Sequence, residues 1–188
     1  MEKEIISILD ETNRTIGQMK SLAPLIAKIS NEIIKAYKNG KKVVLFGNGG
    51  SAADAQHIAA EFVGKFYKNR ESLPALAFHT NTSIVTAIAN DFGYDTIFER
   101  QVSSLVYEGD VVIGISTSGN SPNVILGLEK AKERGALTIG FTGQRENKIE
   151  KITDYCLKIP SIDTPRIQEG HITAGHIICY LVEKVIFS

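Results

Sequence analysis

The stretch Val43–Glu61, VVLFGNGGSAADAQHIAAE, decides the fold. Val43–Phe46 is a short apolar run rich in β-branched residues, which predicts a buried parallel strand. Gly47-Asn48-Gly49-Gly50-Ser51 is a turn almost free of side chains, and Ala52–Glu61 is a helix-favouring run that leaves it directly. Strand, glycine loop and helix together aim free backbone N–H groups and a positive helix end at an anion. On that same helix His57 and Glu61 stand four apart and share a face. The stretch therefore predicts an anion cradle beside acid–base or metal chemistry.

Outward from this stretch, strand and helix signals alternate. Ala75–Phe78, Val111–Ile115, Ala136–Phe141 and Cys156–Ile159 read as strands. Ser83–Asn90, Thr96–Tyr107, Ser121–Glu133 and Pro165–Phe187 read as helices, with Asn90-Asp91-Phe92-Gly93 as a loop. The pattern predicts an α/β protein: a doubly wound parallel sheet of five strands with helices on both faces. Ahead of it, residues 2–39 carry two helical stripes: Ile5, Leu9, Ile16 and Met19, then Leu22, Leu25, Ile26, Ile29, Ile33 and Tyr37. Ser21 is the expected N-cap of the second helix, with Pro24 in its first turn and Asn39-Gly40 at its end. A minimal sheet does not need these two helices, so a subunit interface is a reasonable place to bury their stripes.

A length of 188 residues predicts one domain, 1–188, with a helical pair at 1–40 and an α/β core at 41–188. Lys+Arg and Asp+Glu balance at 21 each, so there is no electrostatic footprint for nucleic acid. No apolar run approaches the roughly 20 residues that span a bilayer. The charged N-terminus lacks an apolar signal core, and Cys156 and Cys179 form no C-x-x-C pattern and read as free thiols. These features predict a cytoplasmic protein without membrane or nucleic-acid partners.

Each site has a bland alternative. The first loop is not a Walker loop, and its match to G-x-G-x-x-A lacks the carboxylate that a dinucleotide fold places after the second strand, where Phe78-His79-Thr80-Asn81 stands. A plain βα turn would look similar. After the third strand, Ser116-Thr117-Ser118-Gly119-Asn120-Ser121-Pro122 puts four hydroxyls in six residues, more than capping by Ser121 and Pro122 requires. A hydroxyl-lined nest at a helix N-terminus suits a phosphate without lysine. The first and third strands are natural neighbours at the switch point, so both loops can serve one ligand. His57 and Glu61 also read as an ordinary surface pair. On the terminal helix, spacing relates Gln168 more closely to His171 than to His176 and does not choose between them.

The segments GNGGSAADAQHIAAEFVGKF, AIANDFGYDTIF, STSGNSPN and TPRIQEGHITAGH resemble, in that order, the bacterial phosphoheptose isomerases of the sugar isomerase (SIS) domain superfamily. The resemblance runs from about Val43 to the C-terminus, and the leading helices agree with it. It implies a flavodoxin-like SIS domain, a homotetramer with active sites at subunit interfaces, and conversion of sedoheptulose 7-phosphate to D-glycero-D-manno-heptose 7-phosphate for surface polysaccharide. By motif matching it implies that Asn48, Gly49, Gly50, Ser51, Asn90, Asp91, Ser116, Thr117, Ser118 and Ser121 meet the sugar phosphate, with Glu61 and Gln168 also at the substrate. It implies one zinc per subunit on His57, Glu61, Gln168 and His176, taking His176 over His171, and a catalytic pair of Glu61 and His176. Pro165 stands where some relatives carry an aspartate, which affects a sugar-hydroxyl contact. A phosphosugar-binding SIS protein that regulates, or that binds the replication initiator, is the alternative. It would need the loops but not the acid–base pairs.

Overall fold

The computed structural model describes residues 1–188. Its sheet has five strands: β1 Val43–Gly47, β2 Ala75–Ala77, β3 Val111–Ile115, β4 Leu137–Gly143 and β5 Tyr155–Ile159. All neighbours pair in parallel, in the order β2-β1-β3-β4-β5. That is the flavodoxin-like order, in which the chain turns back between β1 and β3 and opens a crevice at their carboxyl ends. β1 and β3 are buried along their whole length, as unbroken apolar runs require when both faces are covered.

The helices are α1 Glu2–Gln18, α2 Ala23–Lys38, α3 Gly50–Val63, α4 Thr82–Phe92, α5 Ile97–Leu105, α6 Pro122–Glu133, α7 Lys148–Ile152 and α8 Thr164–Ile186. Because side chains alternate along a strand, Val43 and Leu45 enter one core with Ile29, Ile33, Ile58, Phe62 and Ile178, while Val44 and Phe46 enter the other with Phe98, Val102 and Leu128. Phe46 stacks on Phe98 with centroids 4.7 Å apart. The two cores hold α3 and α8 together on one face and α6 on the other, so both helix N-termini named in the sequence open at the same sheet edge.

Three local expectations need correction. Ser21 is not an N-cap: it lies in a 3-10 turn, Met19–Leu22, and its hydroxyl donates back to the Gln18 carbonyl at 2.9 Å. The turn carries helical backbone straight into α2, so no extended cap residue is used. Asn90 and Asp91 are not in a loop, because α4 continues to Phe92 before Gly93, at φ 89°, stops it. α7 has no counterpart in the sequence reading. It is five residues long, too short for a periodic signal, and is set by Asn147, whose side chain accepts the Glu150 N–H at 2.9 Å. Cys156 and Cys179 are free thiols, and burial pushes both pKa values up. No helix is long and apolar enough to cross a membrane.

Candidate active site

The first loop turns on Gly49, whose φ of 54° and ψ of −122° are open to glycine alone at little cost. The helix starts earlier than the composition suggests, at Gly50. A Cβ at Gly50 would lie 2.3 Å from Nε2 of Gln168, so any side chain there must push the Gln168 amide aside. Gln168, on the second turn of α8, is thereby laid against the head of α3.

The second loop joins the first. Asn48 and Asn123 form a reciprocal amide pair, each Nδ2 donating to the other's Oδ1 at 2.9 Å. The Tyr94 hydroxyl donates to the same Asn48 oxygen at 3.1 Å. Asn123 is buried and lies in the first turn of α6, so the pair locks the N-termini of α3 and α6 side by side. Neither Asn123 nor Tyr94 was singled out from the sequence, although Asn123 ends the STSGNSPN run and Tyr94 follows Gly93. Ser121 occupies the N-cap position but makes no side-chain cap. Its hydroxyl pairs instead with that of Ser116 at 2.9 Å, and Ser118 stands 3.4 Å from Ser116. The hydroxyls form their own cluster at the mouth of the nest. Thr117 adjoins it, half-buried. Ser51 is buried in the first turn of α3. Asn90 and Asp91 are exposed and bond each other at 2.7 Å rather than either loop.

Further along α3, where α8 packs against it, three donor atoms converge. His57 Nε2 lies 3.1 Å from Glu61 Oε1 and 3.3 Å from His176 Nε2, and the ligand atoms of the three residues all lie within 4.8 Å of one another. The approach of two imidazole nitrogens leaves room for one proton between them, or for a cation. Donor atoms at zinc distances of about 2.0–2.2 Å from a tetrahedral centre are about 3.3–3.6 Å apart, close to the 3.1 and 3.3 Å that separate His57 from its two neighbours. The set of two imidazoles and a carboxylate is ordinary zinc chemistry, and it fits. Phe66 covers His176 from one side, with centroids 5.8 Å apart. Asp54, one turn before His57, is half-buried. Burial pushes its carboxyl up to about 6, against the opposing pull of His57.

The tertiary arrangement separates the two histidines that spacing left equivalent. His171 is fully buried against Phe141, and its Nε2 lies 3.1 Å from the Thr142 carbonyl. Burial lowers its pKa to about 4, outweighing that carbonyl contact, so the ring is a neutral core residue. His176, five residues on, faces His57.

A parallel α/β sheet with two helix N-termini at its switch point, and a His/Glu/His group formed between α3 and α8 that could hold a metal ion, is the arrangement of a sugar-isomerase-type α/β domain. Residues 9–143 match the family model described as SIS domain. A phosphoheptose isomerase of Aquifex aeolicus is 58% identical over 164 residues, 87% of this chain and 86% of its own. One from Aneurinibacillus thermoaerophilus is 55% identical over 168 residues, 89% of this chain and 85% of its own. The solved phosphoheptose isomerase of Neisseria gonorrhoeae superposes with a TM-score of 0.92 at 38% identity, covering 97% of this chain and 98% of its own. The chain belongs to the SIS domain family and, within it, to the phosphoheptose isomerases.

Proposed function

We infer that this chain is a ketose–aldose isomerase that converts sedoheptulose 7-phosphate to D-glycero-D-manno-heptose 7-phosphate through an enediol(ate). The observation that carries the reading is the His57–Glu61–His176 cluster, in which α8 brings His176 to the His57 and Glu61 of α3, the helix whose N-terminus opens beside the hydroxyl cluster. A protein that only bound phosphosugars would need the nest and not the cluster. Gly50 and His57 are seven residues apart on α3, about 10 Å at 1.5 Å per residue. That is of the order of an extended seven-carbon chain held by a terminal phosphate.

The division of labour we propose is the one the family resemblance implies, and these positions are compatible with it. The N-termini of α3 and α6, with the hydroxyls of Ser116, Ser118 and Ser121, hold the phosphate dianion through N–H and O–H donors. Glu61 takes the proton from C1, and His176 moves protons at the sugar oxygens and assists return to C2. A positioned acid or base of this kind accounts for about 10²–10⁴ in rate. His57, Glu61, Gln168 and His176 would hold one zinc ion, which when bound supplies Lewis-acid polarisation at O1 and O2. Gln168 is the outlying member, its amide lying against Gly50. Asn90 and Asp91 approach the substrate from α4, next to the Tyr94 that ties this segment to Asn48.

We further propose a cytoplasmic homotetramer with active sites at subunit interfaces, feeding heptose to surface polysaccharide. The support is α1, on which Ile5 and Leu9 stay 53% and 56% exposed while Met19 is buried. Half of the first stripe therefore has no cover within the chain. The deciding experiment is incubation with sedoheptulose 7-phosphate in deuterium oxide, followed by NMR. Exchange at C1 and appearance of the aldose are expected, whereas binding without either makes the chain a phosphosugar sensor. Sedimentation as a monomer at micromolar concentration would remove the tetramer alone.

A further inference from the structure

The segment after α3 is tied to α8 by a buried ion pair that the chemistry above does not use. Arg70 Nε donates to Glu183 Oε2 at 2.9 Å, with side chains only 2% and 3% exposed. The rest of the guanidinium turns to α3: Nη2 donates to the Glu61 carbonyl and Nη1 to the Phe62 carbonyl, both at 2.8 Å. These are carbonyls of the last turn of α3, which lack partners within the helix. Glu183 in turn accepts the backbone N–H groups of Phe66 at 3.0 Å and of Tyr67 and Lys68 at 2.8 Å. Burial pushes this carboxyl up, but the three N–H groups and Arg70 outweigh it and hold it down at about 2. Glu183 lies seven residues after His176, two turns along the same face of α8. Phe66, fastened by Glu183, is the ring that covers His176.

We propose that Arg70 and Glu183 are positioning residues for the active site, a clamp that sets the spacing between the end of α3, which carries His57 and Glu61, and the turn of α8 that carries His176. The proposal rests on the isomerase reading for its catalytic consequence. Its physical basis is that one guanidinium bonds the main chain of Glu61 while its carboxylate partner sits on the helix of His176. A buried ion pair adds little net stability over an apolar substitute, so its retention here is better accounted for by register than by strength. The remaining bonds go to the carbonyls of Phe62 and Glu71 and to the N–H groups of residues 66–68, of which Phe66 is the residue packed against His176.

Glu183→Gln tests this, because replacing either carboxylate oxygen by NH₂ sets a donor against two donors. Arg70→Lys is the second variant, since one ammonium cannot span Glu183 and two carbonyls. The matched control is Asp110→Asn. Asp110 is as buried as Glu183 and bonds Lys42 and the Tyr107 N–H, but at the amino end of β3, across the sheet from the site. Zinc affinity is measured by chelator competition. Imidazole NMR of His57 and His176 in metal-free protein reports their mutual contact, and kcat is separated from KM. Either clamp variant should weaken zinc by about tenfold or more, the usual effect of removing support behind a ligand. It should also disperse the paired imidazole signals and lower kcat with little change in KM, whereas Asp110→Asn moves none of these. Equal effects in clamp and control variants would make the pair a fold-stabilising contact and overturn the proposal. Should wild type bind no zinc, the metal reading falls by itself, and the metal-free imidazole spectra still judge the clamp. If Glu183→Gln does not fold, Arg70→Lys carries the comparison.

Discussion

Gly50→Ala should separate stability from activity. The added Cβ would fall 2.3 Å from Nε2, 2.9 Å from Cδ and 3.1 Å from Oε1 of Gln168. Carbon contacts settle at about 3.5–4.0 Å, so the amide must withdraw by roughly 1 Å or more. It can do so cheaply, because the atoms struck are the free end of a half-buried side chain and not backbone. Gly50 is at the first position of α3, where alanine is no worse and is favoured over glycine by up to about 1 kcal/mol within a helix. Thermal melting is therefore expected to be unchanged or raised by about 2–4 °C. A misplacement of about 1 Å in a catalytic constellation costs about 10²-fold, so turnover of sedoheptulose 7-phosphate should fall by that order. The assay is NMR of the aldose product beside calorimetry of the same sample. Activity within about threefold of wild type would refute the placement of Gln168 in the site, by the measure of that 10²-fold expectation. A large drop in melting temperature would instead show that the α3 backbone yields.

Glu61→Gln should lower turnover by about 10²–10⁴ with little change in sugar-phosphate affinity, and His176→Gln should do likewise. Their joint effect should be less than multiplicative, and metal content measured alongside distinguishes loss of the base from loss of an ion. Replacing Ser118 and Ser121 together by alanine should weaken binding of the sugar phosphate by calorimetry, and unchanged affinity would move the phosphate elsewhere. His171 makes stability pH-dependent. Its folded pKa is lowered to about 4 from 6.5, so its contribution is present above about 6.5 and lost as pH falls through 4. The loss is on the order of 3 kcal/mol by urea unfolding. Asp54, raised to about 6, contributes in the opposite sense, with stability present below 3.8 and lost as pH rises through 6. The His171 effect should therefore be read in an Asp54→Asn background, where His171→Gln is expected to flatten the profile.

The sheet and its helices were legible in the sequence because parallel strands buried on both faces are unbroken apolar runs, and Val43–Phe46 and Val111–Ile115 needed no tertiary knowledge to be recognised. The glycine loop and the hydroxyl run were legible as turns that open helices because that geometry is local: a turn and the helix that follows it. His57 and Glu61 were readable as one face for the same reason. Spacing on α8 favours pairing Gln168 with His171 and does not choose the partner of that face, and only the family resemblance took His176. Only the packing of α8 turns His171 into the core against Phe141 and His176 toward His57. Asn123, Tyr94 and Arg70 likewise acquire their roles from atoms 75, 46 and up to 113 residues away, as the bonds Asn48–Asn123, Tyr94–Asn48 and Arg70–Glu183 record. Local sequence sets where a strand ends and a helix begins, because those depend on neighbours along the chain. Which side chains meet across two helices depends on how both bury their apolar faces, and that is decided only when α3 and α8 pack together on one face of the sheet.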